Sequence, residues 1–376
     1  MIDTHIHLTD VFGDYEKAPA QIPEDSSIYY RTKLTEAYLP YGITTAMVMG
    51  QPEKWLKPTI AWMKNPLPNH TDIYTTGGAL ISKEDRKTYI NHVTVSNALT
   101  AKQKIEEYYN SGIRHIKLYW RLRRPEFESA FNTADSLGMN VYGHVDYNVM
   151  FMDTTLMIGL KNYEHLYTIV NSVLSSENDW SEFNKQFNNN YEKKQVTFHV
   201  WAMELFRYID EKKQSEADLL IDKLSKGKVT FSTAIHAFAE KFGMTYFSNI
   251  KDTNLTKEQI IRCAYNTKLL MNYSKKMFDK GIKIRMGTDC PNGGKAIQSE
   301  QLLLYEYGFS IPSIIQICTI NGATSLGMDK KYGSIEKGKK ANLVIYERNP
   351  FDNYKNFLSK KTVIKDGVVF AQPIRN

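Results

Sequence analysis

Two histidines, His5 and His7, lie two residues apart in the first apolar segment of the chain, IDTHIHL. If this segment is a β-strand, its two-residue period puts both imidazoles on the same face of a sheet. Two imidazoles on one face can bind a single metal ion. A half-buried strand with incidental histidines would have the same spacing, so the motif needs support from the rest of the chain.

Three further polar side chains end apolar segments: Lys117 in IKLYW, His144 in VYGHV and Asp289 in MGTD. A lysine that points into an apolar interior has to be paired or modified, because burying an unpaired ammonium is costly. If these segments are parallel strands of a barrel, their carboxyl ends meet on the face where barrel active sites form. We therefore expect a metal centre there, with a salt bridge to Asp or Glu as the alternative for Lys117.

The elements that would position these residues follow a βα rhythm, which is typical of a parallel sheet. A helix is predicted over 97–111, before Gly112, and another over 125–137, between Pro125 and Gly138. Each of these glycines is followed at once by a predicted strand. Strands are predicted at 2–8, 43–49, 72–80, 113–119, 139–145, 228–233 and 282–288.

An eighth strand, which would complete a barrel, is predicted at one of two places. The segment 195–201, QVTFHVW, has the stronger local strand pattern and contains His199. The segment 161–166, KNYEHL, is shorter and weaker and contains His165. The region 167–213 is long for a βα connection, and we interpret it as a helical insertion.

The rhythm changes beyond residue 328. The segments GSIEKGKKANLVIY and KKTVIKDGVVF are predicted strands with glycine turns and no helix between them, and KDG at 365–367 is typical of a hairpin turn. We therefore predict a (β/α)8 TIM barrel of the α/β class over residues 1–328. A small β unit, a partial β-sandwich, is predicted over residues 329–376.

Composition excludes several classes of protein. The 376 residues are 42% hydrophobic and 24% charged, as in an ordinary globular chain. Lysines are spread along the chain despite a net charge of +7, which argues against a nucleic-acid partner. The sequence has neither a membrane-length apolar run nor a signal peptide, so we expect no membrane association and a cytoplasmic location. The alternative to a cytoplasmic location is that an upstream segment is missing from the sequence. The sequence does not decide whether the protein forms a homo-oligomer.

Taken together, these motifs resemble the amidohydrolase superfamily, metal-dependent hydrolases built on a distorted (β/α)8 barrel. The resemblance covers nearly the whole chain and is most specific towards the imidazolonepropionase-like and prolidase-like branch. The segments that carry it are IDTHIH, YGITT, GIRHIKLY, LGMNVYGHV, IGLKNYEHLYTI, MGTDCP and GSIEKGKKANLVIYERNPF.

The resemblance implies a set of metal ligands, with Lys117 carboxylated as a bridge. It favours His165 over His199, because Glu164 and His165 follow Gly159 as the family motif requires. The mixed nitrogen and oxygen donors fit one or two zinc ions, with Mn, Fe or Co as alternatives. The implied ligands are His5, His7, Lys117, His144, His165 and Asp289.

The predicted activity is hydrolysis of a C–N bond in a small substrate such as a dipeptide, an N-acyl amino acid or a cyclic amide. Asp289 is the expected catalytic residue, which takes a proton from the attacking hydroxide and passes it to the leaving amine. Tyr119 and Arg121 continue the alternation of Lys117, and an arginine there suits a substrate carboxylate. The alternative is that Arg121 belongs to a solvated loop with Arg123 and Arg124.

Two other functions fit the sequence less well. Mononuclear deaminases of the superfamily have a glutamate three residues after the fifth-strand histidine, where this chain has Tyr147, and the presence of Lys117 also counts against them. A non-catalytic metal-binding protein would have no need of Asp289 as a proton carrier.

The remaining histidines are expected to have other roles. We predict that His115 lies in the core and that His70 and His92 lie at the surface. His236 follows the seventh strand, so a position facing the site is left open.

Overall fold

A ring of parallel strands surrounds the apolar core in the computed structural model, which describes residues 1–8, 22–24, 26–146, 149–247, 254–290 and 293–370. Hydrogen bonding orders the strands as β1-β2-β3 and β10-β9-β8-β7-β6-β4-β5. The strands are β1 Ile2–Ile6, β2 Thr45–Val48, β3 Asp72–Thr75, β4 Ala79–Ser82, β5 His92–Val95, β6 His115–Leu118, β7 Asn140–Gly143, β8 Asn162–Tyr163, β9 Thr230–Ser232 and β10 Lys283–Arg285.

The segment predicted as one strand over 72–80 is two strands, β3 and β4. β3 pairs with β2, whereas β4 pairs with β6 and with the short strand β5. The chain bends between them at Gly77, whose φ of 71° favours glycine. A Cβ there would also lie 2.7 Å from the ring of Tyr108. The bent pair counts as one barrel strand, so the ring has eight.

Backbone hydrogen bonds close the ring between β1 and the end of β10. The amide of Thr4 donates to the carbonyl of Met286 across 2.8 Å, and the amide of Asp289 donates to that of His5 across 2.9 Å. The second bond joins two predicted metal ligands through their backbones, so barrel closure itself sets their spacing.

Helices cover the outside of the ring, and none in the described part of the chain has the length and apolar character of a membrane span. The predicted helix before Gly112 is confirmed, with the side chain of Asn97 accepting from the amide of Thr100 at its start. The helices are α1 Ser27–Tyr38, α2 Leu56–Lys64, α3 Ala98–Ser111, α4 Arg124–Ser136, α5 Met152–Ile158, α6 Glu177–Asn190, α7 Phe198–Lys212, α8 Gln214–Lys226, α9 Ile235–Ala239, α10 Lys257–Asp279, α11 Gly293–Glu306, α12 Ile311–Cys318 and α13 Ile320–Ser325.

The sixth barrel strand is β8, which pairs with β7 and β9. The strand pattern at 195–201 is wrong as a local prediction, because α7 begins there at Phe198. The hydroxyl of Thr197 accepts from the amide of Val200 and starts the helix, and Val200 is the one apolar residue of the segment that lies on its buried face. A 3₁₀ helix, Leu166–Ser172, leads from β8 towards α6.

Three antiparallel strands form a separate small sheet near the carboxyl terminus: β11 Leu343–Tyr346, β12 Lys361–Lys365 and β13 Val368–Val369. The predicted hairpin turn at 365–367 is confirmed, with Asp366 and Gly367 both at positive φ. Buried Lys365 forms an ion pair with Asp72, the first residue of β3, across 2.9 Å. The small sheet is thereby tied to the amino-terminal end of the barrel, away from the carboxyl ends of its strands.

Candidate metal centre

His5, His7 and Asp289 bring three donor atoms together where β1 ends and β10 gives way to a loop. The Nε2 atoms of the two histidines are 3.3 Å apart. Asp289 Oδ1 lies 3.4 Å from His5 Nε2 and 3.0 Å from His7 Nε2. The two imidazoles therefore lie on the same face of β1, as its two-residue period predicts. Together with Asp289 they place three donor atoms close enough to bind one cation.

His165 and His144 extend this cluster along the ring of strands. His165, at the end of β8, places Nε2 3.5 Å from Asp289 Oδ2, and its ring centre is 4.5 Å from that of His5. The ring of His144, which follows β7, lies 5.1 Å from that of His165. The Nδ1 atoms of both side chains are buried without a hydrogen-bond partner among the described residues.

Lys117 points into the barrel from β6 and is 2% exposed. Its Nζ lies 3.2 Å from His5 Nε2 and donates to the carbonyl of Met49 across 3.2 Å. Burial lowers its pKa, because the apolar surroundings disfavour the ammonium form. Among the described residues no carboxylate forms an ion pair with it, so the salt-bridge alternative does not describe this lysine.

Glu164 is a buried residue of the site to which the sequence analysis assigned no role. Its Oε2 is 2.5 Å from His5 Nδ1 and accepts from the hydroxyl of Ser232 across 2.7 Å. Its other oxygen, Oε1, is bound by the guanidinium of Arg285, which is also fully buried. An arginine inside the otherwise apolar strand IKIRMGT needs a buried carboxylate partner, and that signal was available in the sequence.

The hydrogen bond that His5 Nδ1 donates to Glu164 fixes the tautomer of His5. An ionised carboxylate can only accept, so Nδ1 carries the proton and Nε2 presents its lone pair towards His7, Lys117 and Asp289. Metal-binding histidines are commonly oriented in this way by a carboxylate.

The backbone is strained where it enters the cluster. His165 has φ 66° and Asp289 has φ 50°, values that non-glycine residues adopt infrequently. Between β10 and Asp289, a Cβ at Gly287 would lie 2.9 Å from the Cβ atoms of His5 and of Ser232. Glycine at this position allows the last strand to approach its neighbours closely enough for Asp289 to reach the histidines.

The ionisation of the cluster suits it to a metal ion. Burial, followed by the charge of Lys117, holds the pKa of His5 well below its ordinary value. Burial also lowers the pKa of His144 strongly and that of His165 to about 3. Burial alone would raise the pKa of Asp289, but the imidazoles of His5 and His165 hold it well below its ordinary value. Neutral imidazoles beside an ionised carboxylate fit a divalent cation.

A cavity of about 630 Å³ opens above this cluster. Tyr119 lines it, as its predicted role in substrate binding requires, and its ring lies 5.1 Å from that of His144. His92, predicted at the surface, is half-buried and also lines the cavity. The ring of His92 packs 4.9 Å from that of Tyr119.

Arg121 does not line the cavity, contrary to its predicted role in binding a substrate carboxylate. Its guanidinium pairs with Glu84 and donates to the carbonyls of Lys87 and Arg86 across 2.9 and 3.3 Å. The side chain is 4% exposed, so it is not part of a solvated loop face either. The chain turns after Tyr119, and this turn breaks the strand alternation on which the prediction depended.

The other histidines lie outside the cluster. His199 packs against Phe238, 4.9 Å between ring centres, and His115 lies 3.3 Å from the hydroxyl of Tyr142. His236 pairs with Glu240 across 3.1 Å and does not line the cavity. His70, predicted at the surface, is buried. Tyr147, which the deaminase comparison used, lies outside the described residues.

Comparisons with known proteins find relatives of parts of the chain. A model of the amidohydrolase family matches residues 208–370. The imidazolonepropionase of Clostridium tetani is 36% identical over 104 residues, which are 25% of this chain and 24% of that protein. The 5-methylthioadenosine/S-adenosylhomocysteine deaminase of Thermoanaerobacter pseudethanolicus is 33% identical over 115 residues, 26% of each chain. The chain thus spans about a quarter of the length of these curated relatives.

The likeness in fold extends over nearly the whole chain. The crystal structure of a Xaa-Pro dipeptidase with bound methionine in its active site superposes with a TM-score of 0.65 and 18% sequence identity. The superposition covers 99% of this chain and 86% of the dipeptidase. It shows that the barrel with its small appended sheet is the fold of that enzyme.

Proposed function

We propose that this chain is a member of the amidohydrolase superfamily, a metal-dependent hydrolase that cleaves a carbon–nitrogen bond of a small molecule. The observation that carries the proposal is the convergence of imidazoles, a carboxylate and a buried lysine at the carboxyl ends of the strands, beneath a cavity. Active sites form on this face in (β/α)8 barrels.

The proposed ion is zinc, with Mn, Fe or Co as alternatives, because the donors are a mixture of imidazole nitrogen and carboxylate oxygen. When bound, a divalent ion supplies a hydroxide at neutral pH and polarises the scissile carbonyl. The residues proposed to hold one or two ions are His5, His7, Lys117, His144, His165 and Asp289.

Asp289 is proposed to carry the proton. Its Oδ1 lies at the cavity floor beside His7, and the imidazoles around it keep the carboxylate ionised and ready to accept. It takes the proton from the attacking oxygen and delivers it to the nitrogen of the leaving amine, since an amide nitrogen leaves poorly as an anion. Tyr119 faces the same cavity and is proposed to contact the substrate.

Lys117 is proposed to react with carbon dioxide. Its neutral amine forms a bond to the carbon, loses a proton to solvent and becomes a carbamate anion with two oxygens. Burial favours the neutral amine that this reaction needs, and no described carboxylate competes for it. The carbamate would remove the cost of a buried ammonium and could bridge two ions.

The test is hydrolysis of a panel of small amides by the metal-loaded protein, with the products identified by mass spectrometry. We expect equal amounts of a carboxylic acid and an amine. The isosteric variant Asp289→Asn should lose at least about 100-fold in rate, whereas His199→Ala, outside the cluster, should keep normal activity. Release of ammonia from an aminopurine would favour a deaminase instead. Absence of turnover across the panel by protein with full metal content would contradict the proposal.

A further inference from the structure

The first barrel strand has one extra residue between two of its paired positions. Asp3 pairs with Ala46 of β2 and Ile6 pairs with Val48, so three steps along β1 match two steps along β2. This shift of register has the form of a β-bulge, and His5 lies within it. Bulges disrupt the regular ladder of hydrogen bonds and change the direction of nearby side chains, and they are frequent beside active sites.

The carboxyl group of Asp3 accepts hydrogen bonds at this bulge. Its Oδ1 accepts from the backbone amides of His5 and Thr288, each across 3.1 Å. Its Oδ2 accepts from the hydroxyl of Thr288 across 2.8 Å. Asp3 and Thr288 are both fully buried, and a buried amide that loses its partner is costly. One side chain therefore satisfies donors on β1 and on the segment that follows β10.

These contacts lead directly to Asp289. Its amide donates to the carbonyl of His5 across 2.9 Å, so Thr288 and Asp289 together are held to β1 by three hydrogen bonds. The φ of Asp289 is 50°, a conformation that a residue other than glycine keeps only where surrounding contacts enforce it. The direction of the Asp289 side chain therefore depends on the contacts with β1.

The residues before Thr288 are held by other partners. The carbonyl of Met286 accepts from the amide of Thr4 across 2.8 Å and from its hydroxyl across 2.7 Å. The amide of Gly287 donates to the hydroxyl of Thr233 across 3.1 Å. Asp3 consequently acts on the last step of the chain, from Gly287 to Asp289, rather than on the course of β10.

We propose that Asp3 and Thr288 are positioning residues that hold the backbones of His5 and Asp289 so that the two side chains meet at one metal ion. Neither residue is among the described side chains that line the cavity, so their effect on the reaction acts through the ligands that they hold. This inference rests on the proposed metal-dependent hydrolysis and assigns two further residues to it.

Thr288→Val tests the role of this pair, because it replaces the hydroxyl with a methyl group of similar size and removes the bond to Asp3 Oδ2. We expect zinc affinity, measured by competition with a chromophoric chelator, to fall about tenfold. Thr288→Ser keeps a hydroxyl and should restore most of that affinity. The amides of His5 and Thr288 keep their acceptor in both variants, so the fold should be preserved.

A double-mutant cycle separates positioning from general stability. If Thr288 acts through the carboxylate of Asp289, Thr288→Val should change zinc affinity by less than about twofold in Asp289→Ala protein. Equal losses of affinity in the two backgrounds would mean that Thr288 acts independently of Asp289, which would overturn the proposal.

Thr267→Val is the matched control. Thr267 is buried on α10, where its hydroxyl donates to the carbonyl of Cys263 across 2.8 Å. Its substitution should lower the free energy of unfolding without changing zinc affinity. Normal zinc affinity in Thr288→Val would overturn the positioning role and leave the proposed hydrolysis intact. Protein that binds zinc but cleaves no amide would contradict the proposed function alone, since the comparison of affinities still decides the role of the pair.

Discussion

His5 and Glu164 form a hydrogen bond of 2.5 Å that joins the first barrel strand to the end of the sixth. The same carboxylate accepts from Ser232 and pairs with buried Arg285, so strands β1, β8, β9 and β10 all contribute to the orientation of one imidazole. The position of His5 Nε2 is therefore set by four strands rather than by the HxH motif alone.

The first prediction concerns this positioning carboxylate. Glu164→Gln should weaken metal binding about 10- to 100-fold, since loss of such a partner leaves the tautomer and ring of His5 unfixed. The measurement is competition with a chromophoric chelator, which reports metal affinity independently of turnover.

Glu204→Gln is the matched control for that experiment. Glu204 is buried and bound by Arg262 across 2.7 Å, but it lies on α7 away from the cluster. The Glu204→Gln substitution should lower the free energy of unfolding without changing metal affinity. Equal losses of metal affinity in the two variants would mean that Glu164 acts only through general stability.

The second prediction concerns His165, the proposed metal ligand from the sixth strand. His165→Ala should reduce bound metal and lower the rate by about 100-fold or more, because it removes a donor next to Asp289. His199→Ala should change both within about threefold, as substitutions away from a site commonly do. For both variants, metal content is measured by plasma mass spectrometry and the rate of hydrolysis is measured on one amide. The reverse ranking would contradict the assignment.

These two histidines also show how far the sequence could determine the fold. The period of two on β1, the helix ends at Gly112 and Gly138 and the hairpin at Gly367 are local features, and each was correct. The sequence at 195–201 is rich in strand-forming residues, but the cap at Thr197 and packing against α10 override that preference.

The site was only partly predictable for a related reason. Residues that end strands could be expected at one face of the barrel, but contacts between distant strands could not be read from local patterns. Glu164 and Arg285 are 121 residues apart and meet through the order of β8, β9 and β10. Arg121 was misplaced because a turn after β6 ended the alternation on which its prediction depended.

The third prediction concerns Lys117. If its amine is carboxylated, Lys117→Ala should reduce bound metal below about two ions per chain and lower the rate sharply. Short carboxylic acids should restore part of the activity by occupying the space of the carbamate. Lys361→Ala, another buried lysine on the small sheet, should not be rescued. A variant of Lys117 with normal metal content and rate would show that the residue is structural.

The fourth prediction concerns the pH dependence of stability. Burial raises the pKa of Glu300, on α11, from 4.5 to about 8, and its Oε2 has no hydrogen-bond partner among the described residues. Between these pH values the folded protein binds the proton more strongly than the unfolded chain does. Stability should therefore fall as pH rises from about 4.5 through 8.

Glu300→Gln removes this ionisation and should stabilise the protein by about 1 kcal/mol or more at pH 8, with less effect near pH 5. The exposed substitution Glu258→Gln is the control and should leave the pH slope unchanged. The free energy of unfolding of each variant is measured by urea unfolding, monitored by circular dichroism, at several pH values. An unchanged slope in Glu300→Gln would mean that this carboxyl does not titrate in that range.

The central claim is that the cluster around His5, Asp289 and Lys117 cleaves an amide only when it holds metal. The most direct measurement is a titration of metal-free protein with zinc, in which amide hydrolysis is plotted against ions bound per chain. We predict no hydrolysis without metal and a rise to a plateau at about two ions per chain. Full activity in protein shown by mass spectrometry to be free of metal would contradict the account.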